Sequence, residues 1–320
     1  MDLLNFKPKA KFNQKNLLSM YNYSKDEILE ILSLALKLKD MQKKGQPHRY
    51  LEGKTLAMIF TKNSTRTRVS FETGIFQLGG QGLFLSGNDI QLGRGETIAD
   101  TAKTLSRMVD GIMIRTYLQS DVEDLAKYGS IPVINGLTDD FHPCQALADI
   151  QTIYEHKGTL ENTKLAFVGD GNNVAASLLI ICAKLGMHVS VASPKGFEPN
   201  PEVLQNVLSY AQESGSTVTV TNDPFEAVAG ADAVYTDVWA SMGQESQFKE
   251  KSKSFMEYQV NSKLMAAANK DAVFLHCLPA HRGEEVTEDV IDGPQSVVFD
   301  EAENRLHAQK AVMVLLMGDK

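Results

Sequence analysis

KTLAMIFTKNSTRTRVSFETGIFQLG, residues 54–79, decides how the chain is read. It opens on an apolar run, KTLAMIF, that lacks helical spacing. It closes on Phe71, Ile75 and Leu78, spaced as one face of a helix. A strand that passes through a polar turn into a helix is half of a βαβ unit. Three more apolar runs follow: GLFLS (82–86), GIMIRT (111–116) and IPVING (131–136). Helical patterns such as TIADTAKTLSRMV (97–109) lie between them. Short runs, apolar on both faces and bounded by turn residues, predict a parallel sheet covered by helices.

A second series begins at KLAFVGD (164–170) and continues through HVSVASP (188–194), TVTVTND (217–223), AVYTDV (233–238) and AVFLHCLP (272–279), with SVVFDEA (296–302) close behind. FHPCQALADIQTIYEHKG (141–158) reads as a long helix bridging the two series, and SKDEILEILSLALKLKDMQKK (24–44) as a capped helix before the first. The fold class is therefore α/β: two doubly wound domains, each with a central parallel sheet, linked by helices. The expected domains are 1–150 and 151–303, with a helix over about 304–320 packing back on the first.

Composition narrows the classes of function. A chain of 320 residues exceeds one compact core and suits two domains. Apolar residues at 43% and charged residues at 22% make an ordinary globular balance. A net charge of −8 without a basic stripe argues against a nucleic-acid partner, yet a local arginine cluster can still hold a small anion. No apolar run approaches the roughly 18 residues of a membrane span, and residues 1–23 read as no signal peptide. Cys144, Cys182 and Cys277 show no CxxC spacing, which argues against a disulfide framework or a structural zinc and fits a reducing cytoplasm.

Open parallel sheets bind ligands beyond the carboxyl ends of their strands. Six of those exits are polar here. TKNSTRTR, Arg115-Thr116 and FHPCQ belong to the first series; GDGNN, DVWASMG and HCLPAHR belong to the second. This distribution predicts one cleft between the domains. Read alone, the opening stretch favours a Ser/Thr helix cap with solvated arginines. At a strand exit, the same hydroxyls, amide groups and guanidinium make an anion site. At about 100° per residue, Arg66 and Arg68 point apart. Arg66 is expected on the ligand. Arg68, nearer the face of Phe71, Ile75 and Leu78, is expected in a structural ion pair with Glu72.

The other exits carry their own alternatives. His142 and Gln145 share a helix face, and a histidine at a helix N-terminus is biased toward the neutral form that donates to a carbonyl oxygen. A simple capping histidine is the plain alternative. Arg115 closes an apolar run, where a charge needs a partner. GDGNN lacks the third glycine of a dinucleotide fingerprint and no acidic residue ends HVSVASP, so NAD is discounted. Asn173 remains there as a polar group. Asp237 suits an ammonium, backbone amides near Met242 suit a carboxylate, and GQESQFKEKSKSF (243–255) reads as a mobile lid. Cys277, taken alone, reads as an inert buried thiol.

STRTR (64–68), HPCQ (142–145), DVWASMG (237–243) and HCLP (276–279) are similar, in order and spacing, to motifs of the aspartate/ornithine carbamoyltransferases. The match runs almost end to end, and SMG with HCLP resembles the ornithine branch. The resemblance implies transfer of the carbamoyl group of carbamoyl phosphate to the δ-amine of L-ornithine, giving L-citrulline and phosphate in arginine metabolism. It implies a homotrimer, no cofactor and no metal. Ser64, Thr65, Arg66, Thr67 and Arg115 would hold the phosphate, and His142 and Gln145 the carbamoyl group. Arg305 and the backbone at Cys277 and Leu278 would complete that site, with Gln91 reaching in from a neighbouring subunit. Asn173, Asp237, Ser241 and Met242 would hold ornithine, and Cys277 would orient its δ-amine. Arg115, His142, Asp237 and Cys277 form the implied catalytic set.

Charge then suggests the mechanism. A neutral amine attacks the carbamoyl carbon, negative charge grows on the carbonyl oxygen, and Arg115, His142 and Thr67 donate to it. Arg66 neutralises the leaving phosphate, which takes the later proton. An aspartate-specific enzyme would need a cation after Asp237, where no arginine and no lysine precedes Lys249. A putrescine enzyme has no use for an α-carboxylate site. The incomplete GxG disfavours an NAD-dependent dehydrogenase, and intact Arg66, Arg115, His142 and Cys277 disfavour a silent binding protein.

Overall fold

The first sheet has the strand order β2-β1-β3-β4, all parallel, built from β1 (Thr55–Phe60), β2 (Gln81–Ser86), β3 (Gly111–Arg115) and β4 (Val133–Leu137). Around it lie α1 (Lys25–Lys43), α2 (Thr65–Gln77), α3 (Ile98–Leu105), α4 (Gln119–Tyr128) and α5 (Pro143–Lys157). The second sheet is also parallel, in the order β7-β6-β5-β8-β9. Its strands are β5 (Lys164–Val168), β6 (His188–Ala192), β7 (Val218–Thr221), β8 (Ala233–Thr236) and β9 (Val273–His276). Its helices are α6 (Asn173–Leu185), α7 (Pro201–Ser214), α8 (Pro224–Val228), α9 (Phe248–Phe255), α10 (Ser262–Met265) and α11 (Glu288–Ile291). A long helix, α12 (Val298–Met317), ends the chain. This is a computed structural model that describes residues 2–92, 95–239 and 248–318. Two units separate: Asp2–Gln151 with Glu303–Lys320, and Thr152–Ala302.

Local sequence explains these elements. Ser24 caps α1 in a capping box with Glu27, and Ser64 caps α2 by accepting from the Thr67 amide. Leu56, Ala57, Met58 and Ile59 are fully buried, as a central parallel strand requires. α6 is apolar nearly all round and is buried accordingly. In the unit that contains α2, Gly74 lets Met313 and Lys310 of α12 approach closely; a Cβ there would lie 3.0 Å from Met313 Cε.

Two expectations need correction. GLFLS forms β2, but β2 is the outermost strand of its sheet and leaves Leu83 and Phe84 exposed. SVVFDEA is no strand: only Ser296 bridges to Phe274, and Val298 already starts α12. Asp300 and Glu301 sit in the first turn of that helix, where the helix dipole favours acids.

Each sheet reverses its strand order once, between β1 and β3 in the first and between β5 and β8 in the second. Ligand crevices of open α/β sheets form at such switch points. Ser64–Thr67 and Arg115 leave the first switch point; Asn172 and Asp237 leave the second.

Candidate functional site

At the first switch point the two strand exits are tied together, with the Thr61 amide donating to the Arg115 carbonyl at 3.0 Å. Thr67, buried one turn into α2, is the hub. Its Oγ1 accepts from Arg305 Nη2 at 3.2 Å and from Arg115 Nη1 at 3.5 Å. Two acceptor positions filled by guanidiniums leave the hydroxyl hydrogen to donate to a ligand. Arg305 Nη1 donates to Gln145 Oε1 at 2.6 Å, and Gln145 Nε2 donates to Asp149 at 2.8 Å. Thr67, Arg115, His142, Gln145 and Arg305 are all buried, so the fold assembles these predicted residues within one unit.

Burial pushes the His142 imidazolium well below its ordinary pKa of 6.5, and the positive charges of Arg305, Arg115 and Arg66 push it further. His142 is therefore neutral at pH 7, as expected, but burial and the arginines are the cause. Its carbonyl accepts from the Gln145 and Ala146 amides, so it also starts α5. Cys144, beside it, is buried and its thiol is pushed up to about 12, which keeps it uncharged.

The opening stretch proves to be a cap and a cation-rich strand exit at once. The Thr67 amide, expected for an anion, is taken by Ser64 Oγ at 3.1 Å. Arg68 does pair with Glu72, at 3.3 Å, but both are about half exposed. The Arg68 guanidinium lies over the Phe84 ring, 3.7 Å from its centroid. The expected place near the buried helix face fails because the long side chain reaches outward across the edge strand. Gln91 is exposed in the loop after β2, outside the buried cluster. Lys62 was missed: it is buried, pairs with Asp139, and lies 4.1 Å from the Tyr117 ring centroid.

At the second switch point Asp237 is the hub. Its Oδ1 accepts from Cys277 Sγ at 3.0 Å and from the Val238 amide at 2.8 Å; its Oδ2 accepts from Asn172 Nδ2 at 2.7 Å. Asn172, not anticipated, also caps α6 through the Val174 and Ala175 amides. Asn173, which was anticipated, is the first residue of α6 and half-buried. Gly171 explains the GxG without a dinucleotide, because a Cβ there would meet Pro199 N at 2.3 Å.

His276, the first residue of HCLP, braces the turn that follows β9. It is fully buried, its amide donates to Glu301, and its Nδ1 accepts from the Leu278 amide at 2.9 Å. That acceptor fixes the proton on Nε2, which faces Glu285 Oε1 at 3.1 Å. The bond holds Leu278 at φ +57, a conformation an L residue rarely adopts. The Leu278 amide is thus engaged inside its own turn. Ser241, Met242 and residues 243–247 of the expected lid lie outside the described residues.

Sequence spacing offers no metal cluster, but the fold brings two donor groups together among the described residues. Asp237, His276 and Cys277 form one, and His281, Glu284 and Glu285 the other, each with ligand atoms within 4.8 Å. In the first group the thiol is spent on Asp237 and His276 Nδ1 on Leu278.

Comparison with known proteins gives a consistent result. Residues 15–155 match the carbamoyl-P binding domain of aspartate/ornithine carbamoyltransferases, and residues 161–316 match the Asp/Orn binding domain of the same family. An ornithine carbamoyltransferase of Thermococcus kodakarensis is 60% identical over 304 residues, covering 95% of this chain and 96% of the relative. The solved ornithine carbamoyltransferase of Pyrococcus furiosus is 58% identical, with a TM-score of 0.94 over 97% of this chain and all of that one. The anabolic ornithine carbamoyltransferase of Campylobacter jejuni is 43% identical, with a TM-score of 0.89, covering 95% and 99%.

Proposed function

The chain belongs to the aspartate/ornithine carbamoyltransferase family, and on that premise we propose how its two switch points divide the work of carbamoyl transfer. The reaction moves the carbamoyl group of carbamoyl phosphate to the δ-amine of L-ornithine and yields L-citrulline and phosphate.

Carbamoyl phosphate binds where Thr67, Arg115, His142, Gln145 and Arg305 converge. Ser64, Thr65 and Arg66 add phosphate contacts at the start of α2. The carbonyl oxygen, which gains negative charge during attack, takes hydrogen bonds from Thr67, Arg115 and neutral His142. The guanidiniums stabilise the departing phosphate. A neutral histidine suits this task because it donates without adding a fourth full charge to those of Arg66, Arg115 and Arg305.

Ornithine binds at Asp237 with Asn173, Ser241 and Met242. The observation that carries this assignment is the Cys277 thiol donating to Asp237. Asn172 holds the other carboxylate oxygen, so Asp237 is fixed from both sides as a counter-charge for a substrate ammonium group. The ordinary alkyl ammonium has a pKa near 10.4, so the δ-amine must lose a proton before it attacks.

The active species is proposed as a homotrimer in which Gln91 serves a neighbouring subunit. Support comes from an exposed apolar surface along α2 and β2: Phe76 is 74% exposed, beside Val69, Leu83 and Phe84. A second copy of this chain would cover it. A cytoplasmic location is proposed on the strength of three free cysteines. Among the described residues no helix is long and apolar enough to cross a membrane. The anabolic direction is proposed from the name of the Campylobacter jejuni relative.

Initial rates with ornithine and putrescine test the substrate assignment. Ornithine is expected to win by a large factor. A preference for putrescine would remove the α-carboxylate role of Ser241 and Met242.

A further inference from the structure

HRGEE, residues 281–285, follows the HCLP turn and takes no part in the transfer described above. Its backbone turns sharply at Gly283, φ +88, and the Gly283 amide donates to the Val286 carbonyl at 2.8 Å. Gln259 Nε2 clamps the turn by donating to the carbonyls of Gly283 and Glu284, at 3.0 and 2.8 Å. The turn gathers His281 Nδ1 and the carboxylates of Glu284 and Glu285 within 4.8 Å of one another.

Glu285 is fully buried, and its two oxygens differ. Oε1 accepts from the His281 amide at 2.6 Å and faces His276 Nε2 at 3.1 Å. Oε2 is buried and accepts no hydrogen bond among the described residues. It lies 3.8 Å from His281 Nδ1, which in turn lies 3.6 Å from Glu284 Oε2. A buried carboxylate oxygen without a donor is costly unless a cation meets it. Arg282 is not that cation. Its guanidinium is turned to Asp292, with two contacts of 2.7 Å.

We propose that His281 Nδ1, Glu284 and Glu285 Oε2 form a binding site for one divalent cation of the zinc class. One imidazole nitrogen with carboxylate oxygens is a borderline donor set that suits zinc or cobalt better than magnesium or calcium. Two ligands about 2.1 Å from a tetrahedral zinc stand roughly 3.4 Å apart, close to the observed separations. Only small side-chain movements are needed, and two of the three residues have partly exposed side chains. A cation on Oε2 leaves the Oε1 contacts in place. It would therefore stiffen the path from Glu285 through His276 to the Leu278 amide, and with it the turn that carries Cys277. The site is independent of the residue roles assigned to carbamoyl transfer.

Calorimetric titration of the full chain with Zn²⁺, alongside absorption spectra with Co²⁺, tests this. One cation per chain is expected, with a cobalt ligand-field spectrum free of sulfur-to-metal charge transfer. His281→Ala and Glu284→Gln should each weaken binding about tenfold or more without altering the metal-free melting temperature. Absence of binding, or binding unchanged in either variant, would overturn the proposal. So would a sulfur-to-cobalt band, which would move the cation to Asp237, His276 and Cys277.

Discussion

Cys277 Sγ lies 3.0 Å from Asp237 Oδ1, joining the ends of β8 and β9 through a single thiol–carboxylate hydrogen bond. Asn172 holds the other oxygen of the same carboxylate at 2.7 Å. One acid is thus oriented from both sides, by the thiol and by the side-chain amide. That arrangement suits a carboxylate that holds a substrate ammonium group in place.

Replacing Asp237 with Asn keeps the size but removes the charge and one acceptor. The kcat/KM for ornithine should fall about tenfold to a hundredfold, the equivalent of the roughly 1.5–3 kcal/mol of a hydrogen bond to a charged group. The KM for carbamoyl phosphate should change little. Steady-state kinetics with each substrate varied separately will show it, and an unaltered ornithine profile would remove Asp237 from the site.

Thr67→Val deletes the hydroxyl on which Arg115 and Arg305 meet while preserving shape. Loss of one donor to the developing oxyanion should lower kcat about a hundredfold, near 3 kcal/mol of barrier. Thr67→Ser should retain most activity. Equal losses in the two variants would indicate that packing, rather than the hydroxyl, matters at this position.

Arg66 and Arg68 should separate by assay. Arg66→Ala should raise the KM for carbamoyl phosphate and leave the melting temperature near that of the parent. Arg68→Ala should leave that KM alone and lower stability by at most about 1 kcal/mol, since its pair with Glu72 is half exposed. An Arg66→Ala enzyme with normal carbamoyl phosphate saturation contradicts the division of roles.

Acid should destabilise the chain partly through His307. Burial, then the charges of Lys310, Lys39, Lys43 and His48, pushes its pKa from 6.5 down to about 3. The unfolded chain therefore binds a proton that the folded chain refuses between pH 6.5 and 3. Stability is lost through this window as pH falls and is fully present above it. In denaturant unfolding, His307→Leu should show a shallower decline over the same window. Parallel curves for the two proteins would assign the acid loss to other groups.

Much of this molecule was legible from alternating short apolar runs and helical spacing, because parallel strands buried on both faces leave a strong pattern. The edge strand β2 broke that pattern, since an outermost strand need not be covered. SVVFDEA carries the same apolar signal but continues into α12, where its acids lie in the first turn of the helix. The site was less legible. Polar strand exits point to Thr67, Arg115, His142 and Asp237, whereas Asn172 and Lys62 carry no local signal, because their partners Asp237 and Asp139 lie 65 and 77 residues further along the chain. The roles of His276 and Glu285 depend on contacts between the HCLP turn and the residues after it, which no spacing rule encodes.

Citrulline formation from carbamoyl phosphate and ornithine, by the purified chain at neutral pH, tests the central claim most directly. Citrulline and phosphate are expected in equal amounts, dependent on both substrates. A folded, homogeneous preparation that releases no citrulline would contradict it.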